Sequence, residues 1–336
     1  MESKDSSITK SMVNYNKNSD FQKMCNERCE KLIEEYLVNT DSQGEFNILD
    51  LGCSHGKNSM VIVNKILDQL VSNSNHIKLV NVVHEDLPDN DYEEVLRCVN
   101  DPEIGYKNHK LAKTAKLEPY MVGKSFYQEV KPDEVGPIDI AFSLNTLHWI
   151  PSKPCRVYRG LLPNSRNLTE EHQKVFSEHS VDLLEHFFNC RFEEMRAGGL
   201  LIFNIHHKVN LFDAEDEIWD EHLKHHNLTN ETFKDLMMPV YCRSEAELQS
   251  ALDSVKDKFE VVYLKEGTDG GPSFSIDVLK AAHKPQVVNG LKQYESYFGS
   301  QAKLEEFVEE FYKKLANWYN TNEAWVSNFW VVLKKK

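Results

Sequence analysis

Phe46-Asn-Ile-Leu-Asp-Leu-Gly-Cys-Ser-His-Gly56 is the stretch of sequence that decides the fold. It is a short apolar run that ends at two glycines, Gly52 and Gly56. The residues that follow, from Asn58 to Leu70, carry apolar side chains at helical spacing. The pattern therefore predicts a buried strand, a tight loop and a helix, in that order.

The same alternation of strands and helices continues along the chain. Further β-rich runs lie at residues 77–84, 138–143, 198–205, 259–264 and 329–333, and helical patterns lie at 170–195, 213–252 and 276–318. This order predicts an α/β fold in which a mostly parallel sheet has helices on both faces. The helical blocks read as insertions, which gives four segments: 1–45 at the N-terminus, an α/β core at 46–208, a helical cap at 209–256, and returning core strands with a second insertion at 257–336.

Composition limits the classes of function. No apolar run approaches the roughly 20 residues of a membrane span, and the polar N-terminus lacks a signal-peptide core, so we expect a cytoplasmic protein. The 7 cysteines are scattered without paired CxxC units, which predicts reduced thiols. A formal net charge of −14 disfavours binding to nucleic acid or to an anionic membrane.

The loop after the first predicted strand carries the residues that suggest a ligand. Ligands of open α/β sheets bind at the carboxyl ends of the strands, and here that end reads Asp50-Leu-Gly52-Cys-Ser-His-Gly56. The dinucleotide fingerprint GxGxxG is absent, which argues against NAD or FAD. The glycines allow the backbone to approach a ligand, and Asp50 offers a carboxylate to a cationic amine such as that of S-adenosylmethionine.

A second acidic residue ends the next predicted strand. Asp86 can accept hydrogen bonds from both hydroxyls of a ribose, and Leu87 beside it can pack on an adenine. Local roles are the alternatives: Asp50 could cap a turn, and Asp86 could form an Asx turn before Pro88. The pair nevertheless favours a nucleoside cofactor over a plain core sheet.

Six ordered blocks of sequence resemble the SABATH family of carboxyl methyltransferases, which act on salicylic, benzoic, jasmonic and similar acids and have xanthine N-methyltransferases as relatives. The blocks span most of the chain, and their order and spacing together are specific. They are Asn14-Tyr-Asn-Lys-Asn-Ser-Asp-Phe-Gln22, Asp50-Leu-Gly-Cys-Ser-His-Gly-Lys-Asn58, Asp86-Leu-Pro-Asp-Asn-Asp91, Gly123-Lys-Ser-Phe-Tyr127, Leu147-His-Trp149 and Met238-Pro-Val-Tyr241.

The resemblance implies a Rossmann-like class I methyltransferase sheet with an inserted helical cap, and S-adenosyl-L-methionine as the cofactor, leaving as S-adenosyl-L-homocysteine. It also implies that the enzyme can form a homodimer, as its relatives do. The cofactor contacts carried over from the family are Tyr15, Ser19, Asp50, Gly52, Asn58, Asp86, Leu87, Ser125 and Phe126. Gln22 and Trp149 would donate hydrogen bonds to a substrate carboxylate, with His148 lining the same pocket.

Other positions bear on the choice of substrate. The family usually has an aromatic residue four positions before the pocket tryptophan, where this chain has Asn145. Apolar residues of the predicted cap are further candidates for the substrate pocket, although residues on an amphipathic helix are more often core. These candidates are Trp219, Leu223, Met237, Met238 and Tyr241.

No metal is predicted from the sequence. Some family members bind magnesium through an Asp-Phe-Asn element, and the corresponding Asp235-Leu-Met-Met-Pro239 lacks the asparagine. His222, His225 and His226 fall at helical spacing and could chelate an ion, but such clusters are usually solvated helix faces.

The predicted chemistry is esterification of a small, largely apolar carboxylic acid. A carboxylic acid is ionised at pH 7 and needs no general base, so neutral donors such as the Gln22 amide and the Trp149 indole suit the reaction. Two alternatives stay open: N-methylation of a small heterocycle by the same fold, and binding of the cofactor without catalysis. Trp149 could also be a core aromatic, and Gln22 an exposed helix residue.

Overall fold

The computed structural model describes residues 20–37, 44–73, 76–156, 160–163, 168–234, 236–270 and 275–336. Seven strands form one sheet in the order β3-β2-β1-β4-β5-β7-β6. The strands are β1 (Glu45–Leu51), β2 (Leu79–Asp86), β3 (Lys116–Gly123), β4 (Ile138–Ser143), β5 (Met195–Val209), β6 (Phe259–Gly270) and β7 (Trp325–Lys335). The pairings of β7 with β5 and with β6 are antiparallel and the other four are parallel, which confirms the predicted, mostly parallel sheet.

Helices connect the strands and form the two insertions. They are α1 (Asp20–Tyr36), α2 (Lys57–Asn73), α3 (Tyr92–Asn100), α4 (Glu170–Glu194), α5 (Asn210–His225), α6 (Glu245–Ser254), α7 (Ile276–Leu291), α8 (Glu295–Phe298) and α9 (Gln301–Tyr319). Local sequence explains several of their ends. For example, Ser244 and Glu247 form a reciprocal capping box that starts α6.

Alternating side chains of the central strands serve the cores on both faces of the sheet. Ile48 of β1 packs into one cluster with Ile62 and Ile66 of α2, whereas its neighbour Leu49 packs into another cluster with Phe187 of α4. Successive side chains of a strand point to opposite faces, so an apolar run such as that of β1 must be covered on both sides.

The helical insertions meet on the α2 side of the sheet. Trp219 of α5 is buried in edge-to-face contact with Phe307 and Phe311 of α9. Helix α6 instead packs against α4, where Leu248 joins the cluster that contains Phe187. The lobe of α5, α7 and α9 therefore stands apart from the layer of α4 and α6.

Strand β3 was not predicted from the sequence. It lies at the edge of the sheet, most of its residues are only half-buried, and it contains Pro119. An edge strand needs no continuous apolar run and tolerates proline, so it lacks the signal by which the inner strands are recognised. Among the described residues, no helix is long and apolar enough to cross a membrane.

The order of strands places the ligand-binding edge. Strand β1 lies between β2 and β4, and Asp50 pairs in register with His84 on one side and Phe142 on the other. The connections from β1 and from β4 leave in opposite directions at this point, which is where open α/β sheets bind ligands.

Candidate functional site

A cavity opens at the carboxyl ends of β1 and β4. Asp50, Gly52, Asn58 and Asn145, all predicted site residues, lie in its wall together with Asn26 of α1. The remaining lining residues are Leu51, Cys53, Ser54, Ser59, Ile62, Phe142, Leu144 and Thr146. The sequence-based choice of this strand end as a binding site is thus matched by a cavity of mixed polar and apolar lining.

The loop between β1 and α2 is shaped by left-handed backbone conformations. Gly52, Ser54 and Gly56 have φ angles of 80°, 49° and 88°. A Cβ atom on Gly52 would lie 2.2 Å from Cγ2 of Thr146, so only glycine fits between this loop and the loop after β4. Gly52 therefore fixes both the turn and the close packing of the cavity wall.

Asp50 is held by a buried chain of polar groups. Nδ1 of His84 lies 2.7 Å from Oδ2 of Asp50, and Nε2 of His84 lies 3.2 Å from the hydroxyl of Tyr106. An ionised carboxylate can only accept, so Nδ1 of His84 donates to Asp50. Burial raises the pKa of Tyr106 well above its usual range, so its hydroxyl stays protonated and can donate to Nε2. The chain fixes both the tautomer of His84 and the orientation of the Asp50 carboxylate.

Two acidic residues at the end of β2 bind the loop that surrounds the cavity. The Gly52 amide donates to Oε2 of the buried Glu85 (3.0 Å), and the Ser54 amide donates to Oδ2 of Asp86 (2.8 Å). Oδ1 of Asp86 accepts from the amide of the half-buried Leu87. A carboxylate has about four acceptor sites, which is compatible with ribose hydroxyls binding beside these two amides.

Asn145 is fixed by a reciprocal pair of hydrogen bonds. Its amide donates to Oδ1 of Asn204 on β5, and Nδ2 of Asn204 donates to Oδ1 of Asn145, both at 2.7 Å. The pair holds Asn145 at a φ angle of 54°, a conformation that asparagine tolerates better than most residues. Across the cavity wall, Nδ2 of Asn26 donates to Oδ1 of Asn58 at 3.4 Å.

Ser125 and Phe126 follow shortly after the end of β3 in the chain. Phe126 is buried and contacts Phe187 edge to face, and Oγ of Ser125 accepts from the Tyr127 amide. The guanidinium of Arg191 on α4 donates to the Phe126 carbonyl at 2.7 Å. Ser125 and Phe126 do not line the cavity of Asp50, nor do Asp86 and Leu87. The loop of Ser125 and Phe126 is held by Arg191 of α4.

His148 and Trp149 lie in a row of rings between the sheet and the helical lobe. The imidazole of His148 stacks on His206 with centroids 4.0 Å apart, and the Trp149 indole lies 5.3 Å from His148 and 6.5 Å from His283 of α7. The backbone of Trp149 is held by its amide, which donates to the Thr146 carbonyl. Trp149 thus sits directly after the cavity loop and faces the lobe.

The remaining substrate candidates are not brought together. Met238 is fully buried in the main core, and Trp219 is packed inside the helical lobe. Tyr241 donates to Oε1 of Glu247 at 2.8 Å and lines a separate cleft with His207 and other residues of the β5–α5 junction. Tyr15, Ser19 and Asp235 lie outside the described residues, and Gln22 falls on α1, where the structure does not describe its side chain.

Sequence reasoning missed the residues that position the predicted ones. His84 and Glu85 stand inside a run that reads as a buried strand, and a titratable residue in such a run is itself a signal of function. Tyr106, Asn204 and Asn26 come from distant segments and carry no local signal, because their contacts depend on which strands become neighbours.

Comparison with known proteins identifies the family. Residues 10–336 match the family described as SAM dependent carboxyl methyltransferase. Gibberellic acid methyltransferase 2 of Arabidopsis thaliana is 24% identical over 63% of this chain, and the match spans 60% of that protein's length. The salicylate/benzoate carboxyl methyltransferase of the same plant is 21% identical over 84% of this chain and 77% of its own length. For 3,7-dimethylxanthine N-methyltransferase 2 of Coffea arabica the values are 23%, 81% and 78%.

A solved structure shows the same fold. The loganic acid methyltransferase, determined with S-adenosylhomocysteine (SAH), superposes with a TM-score of 0.73 at 19% identity and covers 98% of this chain and 99% of its own. The likeness confirms the predicted class I methyltransferase sheet. At the level of the family, the match confirms the resemblance, the enzyme class and the cofactor that the sequence predicted. The chain belongs to the family of S-adenosylmethionine-dependent carboxyl methyltransferases.

Proposed function

We propose that this protein transfers the methyl group of S-adenosylmethionine to the carboxylate of a small, largely apolar organic acid. One observation carries the cofactor part of the proposal. The buried Asp50 carboxylate, with its orientation fixed by His84, faces a cavity lined by Gly52 and Asn58, and Asp86 ends the neighbouring strand. A fixed anion for an amine and a second for ribose hydroxyls are what such a nucleoside requires.

The residues of this chain bind and orient rather than react. S-adenosylmethionine supplies an already activated methyl group. Asp50 and Asn58 would hold its amino acid end, with Tyr15 and Ser19 as further contacts carried over from the family. Asp86 would hold the ribose, while Leu87, Ser125 and Phe126 would border the adenine. Such positioning can account for most of the rate of an in-line displacement.

Neutral donors suit the acid. Gln22 and Trp149 would donate hydrogen bonds to the carboxylate, and His148 would border the same pocket. A carboxylate nucleophile loses charge in the transition state, so a lysine or arginine bound to it would stabilise the ground state more and raise the barrier. The cofactor, held by Asp50, Asn58 and Asp86, would supply its methyl group to a carboxylate oxygen and would leave as S-adenosylhomocysteine.

The direct test is turnover of a panel of acids. The purified protein is incubated with methyl-labelled S-adenosylmethionine and aromatic, fatty, terpenoid or indolic acids, and the products are analysed as methyl esters. We expect label in the ester of at least one class of acid. If xanthines or other heterocycles take label and no acid does, the proposal is wrong.

One structural feature favours the second candidate, N-methylation of a heterocycle. Nδ1 of His283 lies 3.2 Å from Oε1 of the fully buried Glu215, and the His283 ring contacts Trp149. The imidazole of a buried carboxylate–imidazole pair can accept a proton from a ring N–H. The charge of the Glu215 carboxylate would instead repel the ionised carboxylate of an acid substrate. The rate against pH separates the two: with an acid it is level from about pH 6 to 8, and a histidine base gives a rise there.

We further propose that the enzyme is cytoplasmic, where its seven free cysteines would stay reduced.

We also propose that the enzyme forms a homodimer. Val261 and Leu264 are exposed on the edge strand β6 and offer an apolar surface to a second copy. We retain the four segments 1–45, 46–208, 209–256 and 257–336. Light scattering coupled to size-exclusion chromatography checks the assembly, and a monomer at micromolar concentration would contradict it.

A further inference from the structure

The end of α5 and the middle of α9 bring together three side chains that can bind a transition metal. One ring nitrogen each of His222 and His226 and one carboxylate oxygen of Glu310 lie within 4.8 Å of one another. This is the one group of three or more such side chains found among the described residues. His222 and His226 stand one helical turn apart, a spacing that puts two imidazoles on the same side of a helix.

His222 has the features of a ligand rather than of a solvated helix residue. It is fully buried, and its Nε2 donates to the Phe307 carbonyl of α9 at 2.9 Å. Its other nitrogen, Nδ1, is buried and has no hydrogen-bond partner. A histidine whose one N–H is held by a backbone carbonyl presents the lone pair of the other nitrogen, which is the usual second-shell arrangement of metal-binding histidines.

The local electrostatics are suited to a cation. His222 is buried, and the ammonium of Lys314 lies close enough to act on it electrostatically. Nε2 of His226 already lies 3.0 Å from Oε2 of Glu310. The carbonyl end of a helix carries a partial negative charge, and His222 and His226 are at the carbonyl end of α5. Lys314 opposes a cation, but Glu310 supplies a compensating charge.

We propose that His222, His226 and Glu310 form a zinc site that links α5 to α9. Two imidazoles and one carboxylate are a ligand set for Zn²⁺, with water in the fourth position. Ligand atoms of a tetrahedral zinc site stand about 3.3 Å apart, so the present spacing needs a closure of at most about 1.5 Å. The site lies in the helical lobe, apart from the cavity of Asp50, and its role is to hold the two helical insertions together.

The test is zinc titration of the purified, tag-free, EDTA-treated protein, with S-adenosylhomocysteine present to occupy the cavity. We expect one Zn²⁺ per chain with a Kd on the order of 1 μM or tighter. His226→Gln and Glu310→Gln should each weaken binding by more than about tenfold, because changes to outer-shell partners alone cost that much. His225→Gln is the matched control, since His225 is an exposed neighbour on the same helix, and it should bind zinc as the parent does.

Two further readouts keep the outcome clear. Bound Co²⁺ should give the intense visible absorption of a four-coordinate site, and zinc at 100 times its Kd should raise the thermal midpoint by at least about 2 °C. Both effects should disappear in His226→Gln. A Kd weaker than about 100 μM for the parent, or an equal loss of binding in His225→Gln, would overturn the proposal.

Discussion

Asp86 is the last residue of β2. Its Oδ2 accepts a hydrogen bond from the Ser54 amide, and its Oδ1 accepts one from the Leu87 amide. Asp86→Ala should weaken the affinity for S-adenosylmethionine by about 2 kcal/mol, the scale of a charge-assisted hydrogen bond together with the unpaired hydroxyls left behind. Calorimetry measures the change, and Asp89→Ala, an exposed acid three residues on, is the control. Unchanged affinity in a folded Asp86→Ala variant would remove Asp86 from the site.

His84 orients the Asp50 carboxylate. A substitution of His84 should therefore change the affinity for the cofactor and not the KM of the acid. His84→Leu keeps a side chain of similar size but removes the N–H donor that orients the Asp50 carboxylate. We expect about tenfold weaker binding of S-adenosylmethionine, near 1.4 kcal/mol, with the KM of the acid unchanged. Tyr106→Phe should give a smaller loss in the same direction. An equal rise in the Kd of S-adenosylmethionine and in the KM of the acid would indicate general disruption instead of a positioning role.

Trp149 separates the carboxylate hypothesis from a purely structural role. Trp149→Phe removes the indole N–H and keeps an aromatic ring, so a donor role predicts a loss of about 1.5–3 kcal/mol in binding or orientation of the acid. Cofactor affinity and thermal midpoint should change little. Gln22→Ala should produce the same selective loss, and the double variant should fall short of additivity because both donors hold one carboxylate. Wild-type kcat/KM for the best acid in Trp149→Phe would refute the assignment.

Among the elements, α4 fixes the loop that carries Phe126. The buried Arg191 donates to Oε2 of Glu194 at 2.6 Å and to the carbonyls of Phe126 and Gln128. Glu194 in turn accepts from the amides of Val130 and Lys131. The pair therefore links the last turn of α4 to the whole segment after β3.

Breaking this clamp should be costly. Arg191→Leu leaves the Glu194 carboxylate buried without its cation, so we expect a loss of about 3–5 kcal/mol in the free energy of unfolding, measured by urea denaturation. Adding Glu194→Gln should recover part of the loss. Arg97→Leu, which breaks the exposed Arg97–Glu94 pair, should change stability by less than about 1 kcal/mol. Equal effects of Arg191→Leu and Arg97→Leu would contradict the clamp.

The inner elements were predictable because each carries a strong local pattern. The apolar run of β1, stopped by Gly52, and the helical spacing of α2 match the structure closely. Strand β3 was not, since an edge strand with Pro119 shows no such run. The same limit applies to the helices: the amphipathic pattern of α5 could not tell that Trp219 faces Phe311 in the lobe and not a ligand.

In the candidate site, too, only the residues that belong to a local sequence pattern could be predicted. Asp50, Gly52 and Asn58 belong to one continuous stretch and line one cavity, and their role as cofactor contacts stays a prediction. The groups that fix them arise from other strands and loops, as in the pairs of Asp50 with His84 and of Asn145 with Asn204. Such pairs depend on the register of neighbouring strands, which one sequence does not encode locally.

At the scale of the whole molecule, the cavity of Asp50 lies at the centre of the sheet, and the helical lobe faces Trp149. Under the proposed function, the cavity would hold the cofactor, and the lobe beside Trp149 would contact the acid. In the proposed reaction the methyl group is transferred to a carboxylate oxygen, so the chemical bond formed in the product is the decisive property.

That bond can be measured on the best substrate of the panel. The labelled product is isolated and treated with mild alkali, which hydrolyses a methyl ester and releases its label as volatile methanol but leaves an N-methyl group attached. We predict that essentially all of the label becomes volatile, and that the parent acid is recovered unchanged. Label that stays on the product after this treatment would contradict transfer to a carboxylate.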